Sequence, residues 1–174
     1  EAVVNLCAQA PVDVRVLAVV GHEPTMSTVA AALAGPGSDE ALLAQVNARA
    51  TFLCTQQALP HLRRAANPHV LNIAPPLQST LHPRWFAPHV AYTMAKYGMS
   101  LCVLGMAEEF RAEGIAVNAL WPRTAIDTAA IGFIMDDAAR RRSRLPAIMA
   151  DSACWILTRP SRELTGRFLI DEDV

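Results

Sequence analysis

The stretch HVAYTMAKYGMSLCVLGMAEEFRAEGIAVNAL, residues 89–120, joins a long helical segment to a short apolar one. We predict a helix over about 89–113, ended by Gly114 at the position of a C-cap glycine. The run IAVNAL, 115–120, follows it and is typical of a buried strand. A helix that leads into a buried strand is the repeating unit of α/β folds, so this stretch decides the fold class.

The same alternation continues on both sides of that stretch. Ser38 or Asp39 can cap a helix that runs to about 62, because its apolar residues recur at helical spacing. Another helix is predicted at 149–159. Strands that alternate with helices of about ten or more residues imply right-handed crossovers and a parallel sheet covered on both faces. We therefore predict an α/β fold with a doubly wound parallel sheet of about four strands, at 14–20, 69–74, 115–120 and 167–170, the first of them beside the second.

Length and composition restrict the class of protein. With 174 residues, 52% of them hydrophobic, and a net charge of -1, the chain fits one compact domain and argues against a nucleic-acid partner. The four cysteines form no CxxC or Cys/His cluster, so we predict no metal site and reduced thiols in a cytoplasmic protein. No apolar run approaches the roughly 20 residues that span a membrane.

Tyr92 and Lys96 are the candidate catalytic pair. Residues four apart on a helix share a face, so the two side chains can approach one another. A phenol has a pKa near 10, and a nearby ammonium lowers that pKa so that the phenol can exchange a proton with a substrate oxygen. Lys96 is the only lysine of a chain with 14 arginines. The alternative is that both are surface residues of an ordinary helix.

From about residue 39 to the C-terminus the chain resembles the short-chain dehydrogenase/reductase family, most closely its hydroxysteroid dehydrogenase-like branch. The resemblance lies in HVLNIAPPL, AYTMAKYGMSLCVLGMAEEF, IAVNALWPRTAIDTAA, IMADSACWILTRPS and LTGRFLIDED. It implies a Rossmann-like sheet, NAD or NADP as cofactor, and oxidation or reduction of an alcohol/carbonyl pair on an apolar, lipid-like small molecule. It also implies a homo-oligomer that pairs through helices 39–62 and 89–113.

The resemblance assigns roles to individual residues. Tyr92 would be the general acid/base, and Lys96 would lower its pKa and hold the nicotinamide ribose. Asn47, in QVNARATF, matches the helix asparagine that supports a proton-relay water. Pro122 and Thr128, in WPRTAIDT, match the segment that approaches the nicotinamide and its phosphate.

Two features of the family's pattern are absent from the sequence. The family's strand that corresponds to 69–74 ends in a serine that polarises the substrate carbonyl, whereas this chain has Ala74 and Pro75. Ser79, in the loop that we predict as far as about 88, is a candidate substitute, or a plain loop serine. No glycine-rich pyrophosphate pattern occurs in the chain, so the sheet would be partial and lack its N-terminal glycine-rich βαβ half.

Residues 1–38 read as a strand-helix unit of foreign or uncertain origin, and residues 39–174 as the C-terminal part of a dehydrogenase/reductase domain. DVRVLAVVGHEPTMSTVAAALAG, 13–35, resembles the second catalytic-histidine segment of the phosphohistidine phosphatases, with His22 beside the phosphoryl group. The Arg-His-Gly nucleophile motif of that family is absent. Another interpretation takes residues 2–10 as a degraded Asn-Asn-Ala-Gly strand, although 42 residues separate Asn5 from Asn47.

Three functional hypotheses follow. The leading one is a nicotinamide-dependent oxidoreductase. The second is a non-catalytic remnant or pairing module that keeps the two long helices and has lost its affinity for the cofactor. The third is a phosphohistidine phosphatase.

Overall fold

The computed structural model describes residues 39–77, 83–87, 90–128 and 136–174. The strand predicted at 14–20 and the rest of the segment 1–38, with His22, lie outside the described residues, as does Ser79. In chain order the elements are α1 (Asp39–Leu62), β1 (His69–Ile73), α2 (Pro83–Phe86), α3 (Val90–Glu109), β2 (Ala116–Trp121), α4 (Asp137–Arg140), α5 (Ala147–Thr158), β3 (Phe168–Ile170) and a 3-10 turn (Asp171–Asp173).

The three described strands form one parallel sheet in the order β1-β2-β3. β1 and β2 pair from His69 opposite Ala116 to Ile73 opposite Leu120. β3 continues the sheet from Phe168 opposite Ala119. β1 and β2 are buried along nearly their whole length, as expected for strands with helices on both faces. The α/β class and the parallel arrangement are confirmed, and the fourth predicted strand lies outside the described residues.

Alternating side chains of the strands divide the core into two layers. One layer joins α1 and α3 to the sheet through side chains that include Leu62, Val70 and Val103. The other joins α5 to the opposite face through Leu71, Leu120 and Ile156. Since neighbouring residues of a strand point to opposite faces, Val70 and Leu71 belong to different layers. The sheet is therefore covered on both sides, as in a doubly wound fold.

Two features differ from the sequence predictions. The helix predicted over 89–113 ends at Glu109. The chain then continues as turns to Gly114, which adopts φ +74 before the amide of Ile115 donates to the carbonyl of Phe110 over 3.4 Å. The predicted loop after β1 contains the short helix α2. Helix ends are the least certain part of such predictions, because local turns compete with the last helical bonds.

Parallel strands place all their carboxyl ends at one edge of the sheet. Pro75 follows β1, while Trp121 and Ile170 end β2 and β3. This edge is where doubly wound sheets bind ligands.

Candidate active site

A cleft of about 400 Å³ opens at the carboxyl ends of the strands. Its lining comes from the ends of all three strands, from the first half of α3 and from α2, namely Pro75, Pro76, Trp121, Pro122, Arg123, Ile170, Tyr92, Thr93, Lys96, Tyr97 and Phe86. The cleft therefore joins the predicted catalytic helix to the predicted ligand edge of the sheet.

Lys96 is buried in the wall of this cleft. Its side chain is 4% exposed, and its Nζ lies 6.0 Å from the ring centroid of Tyr92 and 5.9 Å from that of Trp121. The ammonium also donates to the carbonyl of Ile73 over 3.5 Å. Aromatic faces and a carbonyl oxygen all attract a cation, so these groups hold the charge beside Tyr92. Tyr92 itself is 38% exposed and is accessible from the cleft.

Ser100, one turn beyond Lys96, fastens α3 to the end of β1. Its buried hydroxyl donates to the carbonyl of Pro75 over 2.7 Å. Lys96 holds the carbonyl of Ile73 in the same region. Two side chains of one helix thus bind two carbonyls of one short segment, which fixes the helix against the strand end.

The rest of the cleft is mainly apolar. The rings of Phe86 and Tyr97 lie 5.9 Å apart at 50°, a tilted arrangement that aromatic pairs favour. Three prolines, Pro75, Pro76 and Pro122, add rigid apolar surface without side-chain donors. Such a wall suits an apolar part of a ligand.

The structure brings some predicted residues together and separates others. Tyr92, Lys96 and Pro122 all line the cleft. Asn47 is buried in α1, the helix that packs against α3, and is not among the described lining residues. Thr128 is half-buried after β2 and, within the described ranges, also lies away from the lining.

Sequence reasoning missed eight of the eleven lining residues, among them Phe86, Tyr97, Trp121 and Arg123. Trp121 and Arg123 flank Pro122 in the quoted WPRTAIDT, so their neighbourhood was a usable signal. Phe86 lies in a segment without periodic pattern, and only the fold brings it to Tyr97.

Comparison with known proteins adds one family model and three individual proteins. The family model described as enoyl-(acyl carrier protein) reductase matches residues 3–166. Hydroxysteroid dehydrogenase-like protein 2 of Danio rerio is 52% identical over 133 residues, which are 76% of this chain and 31% of that protein. A short chain dehydrogenase from Mycobacterium thermoresistibile is 35% identical, with a TM-score of 0.74 and coverage of 99% of this chain and 60% of that chain.

The angucycline C-6 ketoreductase LanV, solved with NADP bound, shares the fold at 21% identity, with a TM-score of 0.65 and coverage of 96% of this chain and 65% of that chain. The present chain thus spans about a third of the length of the curated relative and less than two thirds of each of these structures. Among the described helices, none is long and apolar enough to cross a membrane.

Proposed function

Because this chain belongs to the short-chain dehydrogenase/reductase family, in its hydroxysteroid dehydrogenase-like branch, we propose that it interconverts an alcohol and a carbonyl with NAD or NADP. The observation that carries the proposal is the buried ammonium of Lys96 beside the exposed phenol of Tyr92, at the wall of a cleft on the ligand edge of the sheet. A positioned phenol and ammonium are suited to proton transfer at an oxygen atom.

In this proposal Tyr92 gives a proton to the carbonyl oxygen during reduction and takes it back during oxidation. Lys96 stabilises the phenolate that remains, because an opposite charge nearby favours the ionised form. The burial of Lys96 strengthens this effect, since the interaction of charges is less screened away from water.

We propose that the nicotinamide end of the cofactor binds in this cleft. Lys96 would hold its ribose, and Trp121 and Pro122 would lie against the ring at the carboxyl edge. When bound, the cofactor supplies or accepts the hydride. The sequence contains no recognisable glycine-rich turn for the pyrophosphate end of the cofactor. The affinity of the chain for the whole cofactor is therefore the first quantity to measure.

A buried water beside Asn47 is part of the proposal. Asn72 lies on the sheet face that α1 and α3 cover, since it shares the face of Val70, and both of its side-chain polar atoms lack a hydrogen-bond partner within the described part of the chain. Buried carboxamides without protein partners are typical places for an ordered water. This supports Asn47 as a proton-relay residue in the same layer.

The apolar wall of Phe86 and Tyr97 supports an apolar, lipid-like substrate. Ala74 directly follows β1 and has no hydroxyl, so we propose Ser79 as the group that polarises the carbonyl, and Thr128 as a contact of the phosphate. A cytoplasmic location is supported by Cys54, Cys102 and Cys154, which are free thiols.

We also propose a homo-oligomer. α1 and α3 carry large apolar side chains that face solvent in the single chain, namely Phe52, Leu53, Met94, Leu101 and Leu104. Apolar residues concentrated on two packed helices are characteristic of a pairing surface.

The cofactor proposal is tested by titrating NADH and NADPH against the purified chain by calorimetry, followed by turnover assays with a panel of apolar ketones. Tyr92→Phe should retain cofactor affinity and lose turnover by about 10² to 10⁴-fold, because it removes only the proton donor. Lys96→Met removes the ammonium and keeps a similar aliphatic side chain, so it should lower both the cofactor affinity and the turnover. Absence of binding at millimolar cofactor would contradict the proposal and favour the non-catalytic pairing module.

Tyr97→Phe is the matched control. It removes the other tyrosine hydroxyl of the same cleft and keeps both rings of the Phe86–Tyr97 pair. We expect its loss of turnover to stay within about tenfold. Equal losses in the two phenylalanine variants would assign the effect to the cleft lining and not to the acid/base role of Tyr92.

A further inference from the structure

The C-terminal turn, Asp171–Asp173, contacts the segment that follows β2. The side chain of each of its three residues contacts Arg123. The backbone amide of Arg123 donates to Asp171 Oδ1 over 2.9 Å. The Arg123 guanidinium lies 2.8 Å from Glu172 and donates to both carboxylate oxygens of Asp173 over 3.0 and 3.1 Å. A single residue of the cleft wall is thus bound by three consecutive acidic residues.

A second set of contacts joins the same segment to Arg144. The amide of Asp127 donates to the carbonyl of Arg144 over 2.7 Å, and the amide of Arg144 donates to the carbonyl of Ala125 over 2.9 Å. The Arg144 side chain pairs with Glu172. The segment 121–128 is therefore bound both by the C-terminal turn and by Arg144, and Glu172 joins these two.

The contacts differ in burial, and so in strength. Asp171 is 5% exposed, and the hydroxyl of Ser152 donates to its backbone carbonyl over 3.2 Å. Its hydrogen bond from the Arg123 amide is buried and therefore little affected by salt. The ion pairs of Glu172 and Asp173 with Arg123 are accessible to water and salt. Each pair alone therefore contributes little to stability.

We propose that the C-terminal turn is a clamp that positions the wall of the cleft formed by Trp121, Pro122 and Arg123. Asp171, Glu172 and Asp173 act through Arg123 as positioning residues, since none of them lines the cleft. Trp121 in turn holds the ammonium of Lys96, so the clamp reaches the catalytic pair through one aromatic ring. Any effect of this clamp on cofactor affinity rests on the proposed function. The contacts of the clamp with the cleft wall do not.

The clamp predicts a dependence on ionic strength. Salt screens exposed ion pairs more strongly than buried ones, so high salt should release the Glu172 and Asp173 contacts while the Asp171 bond persists. The wall of the cleft should then become more mobile without unfolding of the sheet.

Acrylamide quenching of Trp121 tests this directly. In a Trp85→Phe/Trp155→Phe background Trp121 is the only tryptophan. Glu172→Gln/Asp173→Asn should raise its quenching constant about twofold, and 1 M NaCl should raise it in the parent background but hardly further in the double variant. Asp151→Asn/Glu163→Gln is the control, since it removes the same charge from two exposed acids without an ion pair in the described part of the chain. Unchanged quenching in the acidic-turn variant and in salt would overturn the clamp.

If the background does not fold, fluorine NMR of the chain labelled with 5-fluorotryptophan reports the exposure and mobility of Trp121 in its place. The Trp121 signal is assigned by its loss in Trp121→Phe.

Asp171→Asn keeps an oxygen acceptor for the Arg123 amide, whereas Asp171→Ala removes it. We expect Asp171→Ala to weaken NADPH binding about tenfold and Asp171→Asn to stay near the parent. Equal effects of the two substitutions would contradict the role of this bond. Failure of the parent to bind NADPH would contradict the proposed function, and the quenching result would still decide the clamp.

Discussion

His69 shows how one buried side chain couples the stability of the fold to pH. It begins β1 without any solvent exposure, and its Nε2 lies 2.9 Å from the carbonyl of Arg159. Since a carbonyl only accepts, Nε2 carries the proton of the neutral ring. Nδ1 has no partner within the described residues, so a second proton there would be buried without an acceptor. Burial accordingly lowers the pKa of His69, and the hydrogen bond to Arg159 offsets only part of that effect.

This lowered pKa predicts a loss of stability in mild acid. Above about pH 6.5 the histidine is neutral in both the folded and the unfolded chain, so it adds no pH dependence. Below that value the unfolded chain takes up a proton that the folded chain resists, and the free energy of unfolding falls until pH reaches the folded pKa. The loss is about 1.4 kcal/mol for each unit by which the pKa is lowered. Urea unfolding between about pH 4.5 and 7.5 measures it.

The control for His69 is a second histidine that is not buried. His69→Gln should flatten the pH dependence relative to the parent, because it removes the titrating ring and keeps a side-chain amide donor. His61→Gln, at an exposed position near the end of α1, should leave the parent's slope intact. If the slope persists in His69→Gln, other groups cause the acid sensitivity.

Among the elements, α1 and α3 depend on one close approach. A Cβ added at Gly98 would lie 2.9 Å from the Cβ of Ala48, whereas a Cβ at Gly105 of the same helix would meet nothing within 4 Å. Protein side chains do not normally approach as closely as that first distance, so the two helices would have to separate. The approach also bears on the candidate site, because Gly98 lies between Lys96 and Ser100 on the helix that lines the cleft.

Gly98→Ala should therefore destabilise the chain by about 1 to 3 kcal/mol, the usual cost of overpacking a tight contact. Gly105→Ala should stabilise it by up to about 1 kcal/mol, because alanine lowers the entropy of the unfolded helix segment. Chemical denaturation of the two variants compares identical substitutions on one helix. A stabilised Gly98→Ala would show that α1 and α3 are less tightly packed than described.

The elements were largely predictable from sequence, and the contacts between them were not. The periodicity of 39–62 and the apolar runs at 69–74 and 115–120 determine local structure within a few residues, so these predictions are confirmed. The end of α3 was misjudged because Gly114 closes a series of turns and not the helix itself. At the site, the spacing of Tyr92 and Lys96 predicted that the two side chains share one helix face, and both line the cleft, whereas their catalytic role stays a prediction. The bond between Arg123 and Asp171 spans 48 residues, and no local pattern predicts such a contact.

On the scale of the whole molecule, the outer surface of α1 and α3 is unusual for a single chain. Met94 and Leu101 are 65% and 60% exposed, and they belong to the helix whose inner side carries the site. Soluble proteins rarely leave several large apolar side chains together in water. Pairing of two copies through this surface would bury these residues and support, from outside, the helix that carries the proposed catalytic pair.

Leu101→Glu should accordingly shift the chain towards monomer, because pairing would bury an unpaired carboxylate in an apolar interface. Light scattering coupled to size-exclusion chromatography measures the mass across a dilution series. Leu145→Glu is the matched control, since Leu145 is even more exposed at 70% but lies outside both helices. The pairing proposal requires that only the first variant dissociates. If both variants keep the mass of the parent, or if the parent itself is monomeric at tens of micromolar, the surface serves another purpose. If Leu101→Glu is monomeric and also loses turnover while its free energy of unfolding is unchanged, the second copy holds α3 in its active position.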